Sequence, residues 1–234
     1  MTSTPRERAR EQTLADITRI GRQHLARDGA AALSLRAVAR DLGVVSSAVY
    51  RYVGSRDELL TLLVVEGYTE LGDAVEAAVA AVPTGDPRAR LRALGHAVRD
   101  WALAEPACYG LLFGSPVPGY RAPAERTTGP GTRVIGALVR IFDEADRAGD
   151  LVVPLSVPLA ESLRENLTAL REELGLGLSE EALARGVLVW SSLFGAVNFE
   201  VFGQYGAGTF ADPRALFEHH LSVLDEVLGF TPQG

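Results

Sequence analysis

The sequence predicts an all-α protein: a small N-terminal three-helix domain containing a helix-turn-helix, followed by a larger helical domain. Three observations point there. Apolar residues recur at helical spacing nearly everywhere, and strand-type alternation does not persist over any length. Helix ends are marked by Gly, Pro and capping residues. Hydrophobic residues make up 47% of the 234, enough to bury a core in a small domain plus a larger one.

The elements follow in order. Leu14, Ile17, Gly21 and Leu25, with Ile20 and His24, form one stripe that stops at Asp28-Gly29. Residues 35–42 form a short helix ended by Gly43, and 46–53 form another. Ser55-Arg56-Asp57-Glu58 reads as a capping box, in which a hydroxyl and a carboxylate satisfy free amides at a helix start. The long helix it opens runs through Leu59, Leu63, Tyr68, Leu71, Val75 and Val79 to about Val82. Asp86-Pro87 starts the next, as cap and first-turn proline, which runs to about Glu105. Pro106 opens a shorter one through Phe113. Residues 114–131 hold four Gly and four Pro and read as a loop. Helices follow at about 131–148, 158–174 and 179–205, and from Asp212-Pro213 to near Leu228. With Pro154 inside it and Pro158 behind it, 151–157 reads as an extended connector.

Composition excludes several classes. The lone Cys108 rules out a disulfide framework within the chain and a cysteine zinc cluster, and suits a reducing, cytoplasmic compartment. Residues 1–10 lack the apolar stretch of a signal peptide, and the apolar run 59–65 is too short to span a bilayer, so no membrane partner is expected. His24, His96, His219 and His220 show no metal spacing. No phosphate loop, nucleophile elbow or dinucleotide fingerprint is present, so neither an enzyme nor a cofactor is expected. Net charge is −7, but residues 1–56 carry ten arginines against five acidic residues, +5, and the remainder carries −12. A basic head on an acidic body suits a protein that meets phosphate only through its head.

The informative stretch runs from Leu35 to Tyr52. Ala39 is small where two helices must cross, Gly43 can adopt positive φ, and Val49 is a stiff wedge holding the second helix to the first, with Val38, Leu42 and Val44 completing the core. This is a helix-turn-helix, whose second helix enters the major groove. Its outward side should present Ser47, Ala48, Tyr50 and Arg51. Arginine can grip guanine bidentately, serine several base edges, and alanine a thymine methyl. Arg36, Arg40, Tyr52 and Arg56 are placed for phosphates. Ser46 is expected as N-cap of the second helix, and Ser34 and Ser55 as caps of helices whose N-termini favour phosphate oxygens. The division expected is a DNA-binding domain over 1–56 and a larger helical domain over 57–234, whose regulatory and dimerisation roles are what a family resemblance implies.

Residues 12–65 resemble the DNA-binding domain of the tetracycline-repressor (TetR) family. The matching runs are Leu35-Arg-Ala-Val-Ala, Gly43-Val-Val-Ser-Ser-Ala-Val-Tyr-Arg-Tyr and Ser55-Arg-Asp-Glu-Leu-Leu60. The family usually has His-Phe where this chain has Tyr52-Val53, and Lys where it has Arg56. The resemblance implies a homodimer of nine or ten helices per chain and repression of a double-stranded DNA operator, relieved by a small-molecule effector in the C-terminal domain. The run 189–205 resembles a subgroup that carries Trp and then His-Gly in this helix; here Phe194 stands at the His position before Gly195, so any role of that His is lost. Helices 158–174 and 179–205 are candidates for a four-helix dimer seam. Candidate pocket residues are His96, Trp101, Tyr109, Phe113, Phe142, Trp190, Phe194 and Asn198. The rival readings are a transcriptional activator and a helical interaction module that senses nothing; the basic head around Tyr50, Arg51 and Arg56 argues against a module without DNA.

Overall fold

A computed structural model describes residues 4–152 and 157–230. Its described residues form eleven α-helices: α1 (Pro5–Asp28), α2 (Leu35–Asp41), α3 (Ser46–Tyr50), α4 (Arg56–Ala80), α5 (Pro87–Ala104), α6 (Pro106–Phe113), α7 (Ala124–Gly131), α8 (Arg133–Ala148), α9 (Glu161–Leu174), α10 (Glu180–Val201) and α11 (Pro213–Leu228). One 3-10 turn, Ala30–Ala32, joins α1 to α2. Among the described residues, extended pairing is limited to an isolated bridge between Leu151 and Phe230. The all-α reading therefore holds. The connector expected over 151–157 lies mostly outside the described residues.

Most boundaries follow the capping chemistry. Asp86 and Asp212 accept from the amides of Ala89 and Ala215 at 2.9 and 3.1 Å. Gly29 ends α1 at φ 78. Three differences are informative. First, α1 begins at Pro5, well before the apolar stripe, because Thr4 and Glu7 form a capping box on an exposed segment that packing does not mark. Second, the stretch 114–131 is not loop throughout: it holds the two-turn helix α7, with Pro130 near its end. Third, α10 ends at Val201 rather than Tyr205, since Gly203 takes φ 65.

By compactness the chain forms two units, Met1–Glu70 with Ala104–Gly131 and Leu71–Leu103 with Thr132–Gly234. The division expected at residue 56 concerns function, which these compact units do not test. In the first unit Ile17, Leu25, Val38, Val49, Val53 and Leu59 are buried. Gly21 lets α1 and α4 approach closely: a Cβ there would lie 3.1 Å from Leu59 Cδ1. Arg22 adds an ionic tie, bonding Glu70 through both Nη atoms at 2.5 Å and Glu105 through Nε at 3.2 Å. Burial and the neighbouring Glu70 push the Glu66 carboxyl up. In the second unit Gly95 of α5 sits against Leu221 of α11, and Arg99 bonds Glu200 at 2.5 and 2.8 Å.

By length and composition α10 could cross a membrane. However, its buried row Val189, Leu193, Phe194 and Val197 is what a core helix presents to its neighbours. Leu59→Ala should lower stability by about 2–5 kcal/mol, because Gly21 cannot fill the space left behind. Urea unfolding checks this value.

Candidate nucleic-acid interface

Helices α2 and α3 are set by the turn between them. Gly43 takes φ 71, which other residues adopt only with strain. Its N–H donates to the Arg40 carbonyl at 3.0 Å, and the Val44 N–H donates to the Ala39 carbonyl at 3.0 Å. Ala39 and Val49 are each 1% exposed, as expected of the small residue and the wedge. Val44 departs from expectation: it is 45% exposed and so does not complete the core.

Two capping expectations also change. Val45, not Ser46, stands at the N-cap of α3, with extended backbone and its carbonyl accepting from the Ala48 N–H at 2.9 Å. Ser46 is then the first helical residue and half-buried. Ser34 occupies the N-cap of α2, but its hydroxyl makes no capping bond. Ser55 does cap: its Oγ accepts from the Glu58 N–H at 3.1 Å, while the Glu58 carboxylate takes the Gly54 N–H at 2.6 Å.

Arg36, Arg40, Ser47, Tyr50 and Arg51 are exposed; Ser34, Ala48, Tyr52 and Arg56 are half-buried. Helix α3 ends at Tyr50, so Arg51 lies at its C-cap, still with helical backbone. Ala48, Arg51 and Tyr52 share with Asp16 and Ile17 of α1 a surface cleft of about 320 Å³. Arg36 and Arg51 make no ion pair among the described residues. Arg56 is otherwise engaged, donating to the Ala30 carbonyl at 3.0 Å. The sequence reading missed Arg10, whose guanidinium lies 5.6 Å from the Tyr52 ring centre. The arginine-rich start of the chain was the available signal.

His24 and Asp41 lock α1 to α2. His24 is 3% exposed, and its Nε2 lies 2.6 Å from Asp41 Oδ2. That hydrogen bond, with the nearby Arg40 charge, holds the Asp41 carboxyl below the usual carboxylate range.

The eight pocket candidates are divided between the two units. Tyr109 and Phe113 belong to the first unit, where their rings lie 5.0 Å apart and burial pushes the Tyr109 hydroxyl up. The other six belong to the second. Trp190 and Phe194 stack at 4.2 Å. His96 places Nε2 3.0 Å from Glu218 Oε1, leaving a buried Nδ1 without a hydrogen-bond partner; Asn198 Oδ1 is in the same state. Trp101 is half-buried. Only Phe142 lines a cavity of about 580 Å³ among α8, α9 and α10.

A helix-turn-helix with a buried crossing and an exposed basic side, on an all-helical chain, defines a DNA-binding transcription regulator. Residues 17–63 match the family of bacterial regulatory proteins, tetR family, and residues 91–224 match the tetracyclin repressor-like, C-terminal domain. The chain is 44% identical over 223 residues to the HTH-type transcriptional regulators Rv1816 of Mycobacterium tuberculosis and Mb1846 of Mycobacterium bovis, with 95% of each chain covered. The crystal structure of the regulatory protein SCO4313 superposes with a TM-score of 0.76 at 35% identity, covering 94% of this chain and 98% of that one. PfmR of Thermus thermophilus shares the fold at a TM-score of 0.54 and 18% identity, over 92% of this chain and 99% of its own. The chain belongs to the TetR family of transcriptional regulators.

The lowered Asp41 carboxyl has a definite sign in the stability curve. A carboxylate whose folded pKa is depressed stabilises the fold above its unfolded pKa and loses that contribution as pH falls through the folded value. Asp41→Asn should therefore be less stable than the wild type near neutral pH, and the two melting temperatures should converge in acid. A gap independent of pH would rule out the ionised Asp41 carboxylate as its source.

Proposed function

We propose that the chain is a homodimeric repressor that reads a near-palindromic double-stranded DNA operator and is released by a small-molecule effector. The observation that carries the DNA reading is the pair Tyr50–Arg51. Both residues are exposed at the end of α3, and Arg51 has no ion partner of its own, on a head of charge +5. In this reading Ser47, Ala48, Tyr50 and Arg51 meet base edges, while Arg36, Arg40 and Tyr52 hold phosphates, with Ser34 and Ser46 beside them. Arg56 steadies the Ala30 turn as well as facing the backbone of DNA. The site of action is the cytoplasm, where the DNA is.

Support for the dimer comes from an exposed apolar patch on α10 and α11. Leu188 and Val223 are 53% and 44% exposed. With Ala184, Arg185 and Val227 they line an open apolar groove of about 550 Å³. Arg185 Nε is buried without a hydrogen-bond partner, and burial lowers the guanidinium pKa. A two-fold axis would bring this patch against its own copy, the geometry of an isologous interface. Effector release rests on family membership and on the cavities of the second unit.

Arg51→Ala should weaken binding to the cognate operator by about 1–3 kcal/mol and relax sequence preference, whereas Arg36→Ala should weaken all sequences alike and reduce the salt slope by about one. Gel shifts over a range of salt measure both. Absence of any complex on promoter DNA at low salt would refute the reading. Leu188→Glu should give a chain that light scattering reports near 25.0 kDa, with the wild type at twice that mass.

A further inference from the structure

The cavity of about 580 Å³ in the second unit is within the range of roughly 300–1,000 Å³ that small ligands occupy. Its walls are Ile135, Leu138 and Phe142 of α8, Leu170 and Leu174 of α9, and Leu183 of α10. Gly186 opens the α10 side, since a Cβ there would already touch Phe142 at 3.6 Å. Polar groups are few: Glu76, Thr132, Arg133 and Arg140. A sugar or nucleotide would leave its hydroxyls unpaired against such walls.

The two arginines differ. Arg133 is committed, with Nε donating to Glu76 at 2.9 Å and Nη2 to Asp73 and Glu76 at 2.6 Å. Arg140 is exposed and has neither ion pair nor hydrogen bond among the described residues. Its charge reaches Glu76, but that carboxylate is already bonded to Arg133. Arg140 Nη1 would lie 3.4 Å from a Cβ built on Gly136, which places its guanidinium against the backbone that forms the cavity wall. A guanidinium with no carboxylate of its own, bordering an apolar cavity, is a forked donor suited to an incoming one.

We propose that this cavity binds a small amphipathic acid, its apolar body among α8, α9 and α10 and its carboxylate on Arg140. The binding site stands on the cavity itself; its regulatory meaning rests on the effector reading above. The occupant is one molecule per chain, apolar over most of its length and anionic at one end.

Calorimetric titration of the full chain with dodecanoate and with dodecan-1-ol tests the assignment. Dodecanoate should bind once per chain. Arg140→Gln should weaken it about tenfold or more, the loss expected for a charge-assisted bond, and leave the alcohol unchanged. Gly186→Leu should abolish binding of both, with the melting temperature of each variant confirming its fold. Wild-type dodecanoate affinity in Arg140→Gln, no dodecanoate binding to the wild type, or binding undisturbed by Gly186→Leu would each overturn the site. Gel shifts with the same ligand separate the two readings. Arg140-dependent binding that leaves DNA bound would uphold the cavity assignment and overturn its regulatory part. Release by dodecanoate that survives Gly186→Leu would overturn the cavity assignment and leave the effector reading standing.

Discussion

The backbone of Gly43 is the constraint on which the head depends. At φ 71 it turns the chain between α2 and α3, on which Ala39 and Val49 are both buried. Any side chain at Gly43 would cost about 1–2 kcal/mol in that conformation. Helix α3 has only five residues, far too few to persist alone in water. Its direction is borrowed from the turn and from the packing of Val49 and Val53, and the exposure of Tyr50 and Arg51 is the consequence.

That small core is held by longer neighbours. Helix α1 supplies Ile17, Ile20 and Leu25 to the interior, and α4 supplies Leu59, Leu60 and Leu63. Two polar ties fix where α1 lies: His24 to Asp41 on α2, and Arg22 to Glu70 on α4 and Glu105. Both are partly shielded from water, so removing one partner would leave the other poorly solvated.

Helix α10 explains why the second unit has two apolar openings. Ala182, Val189, Leu193 and Val197 face the interior. Leu183, Gly186 and Val187 form a second stripe at helical spacing and line the cavity among α8, α9 and α10. Ala184, Arg185 and Leu188 form a third and line the open groove. A helix apolar on three sides has the composition of a membrane span, and each stripe here lines a different feature of the second unit. Adjacent residues such as Val187 and Leu188 point about 100° apart, which keeps the two surfaces separate.

How much was legible follows from what each signal measures. Periodicity, capping residues and the Ala39–Gly43–Val49 spacing are local, and they determined the helical plan, the helix-turn-helix and its exposed arginines. The resemblance of the same run to the TetR family rested on those residues. What escaped was decided by contacts between distant segments. Helix α7 was hidden by Pro130 and its glycines, and the start of α1 by the lack of a buried face. Arg56 turns to the Ala30 carbonyl, a partner twenty-six residues away that no local pattern encodes. The aromatic residues named for a pocket are large and apolar, and large apolar residues are mostly core. Which helices leave a cavity between them depends on how α8, α9 and α10 pack, and only the tertiary structure settles that, because side-chain volume is shared among neighbours remote in the chain.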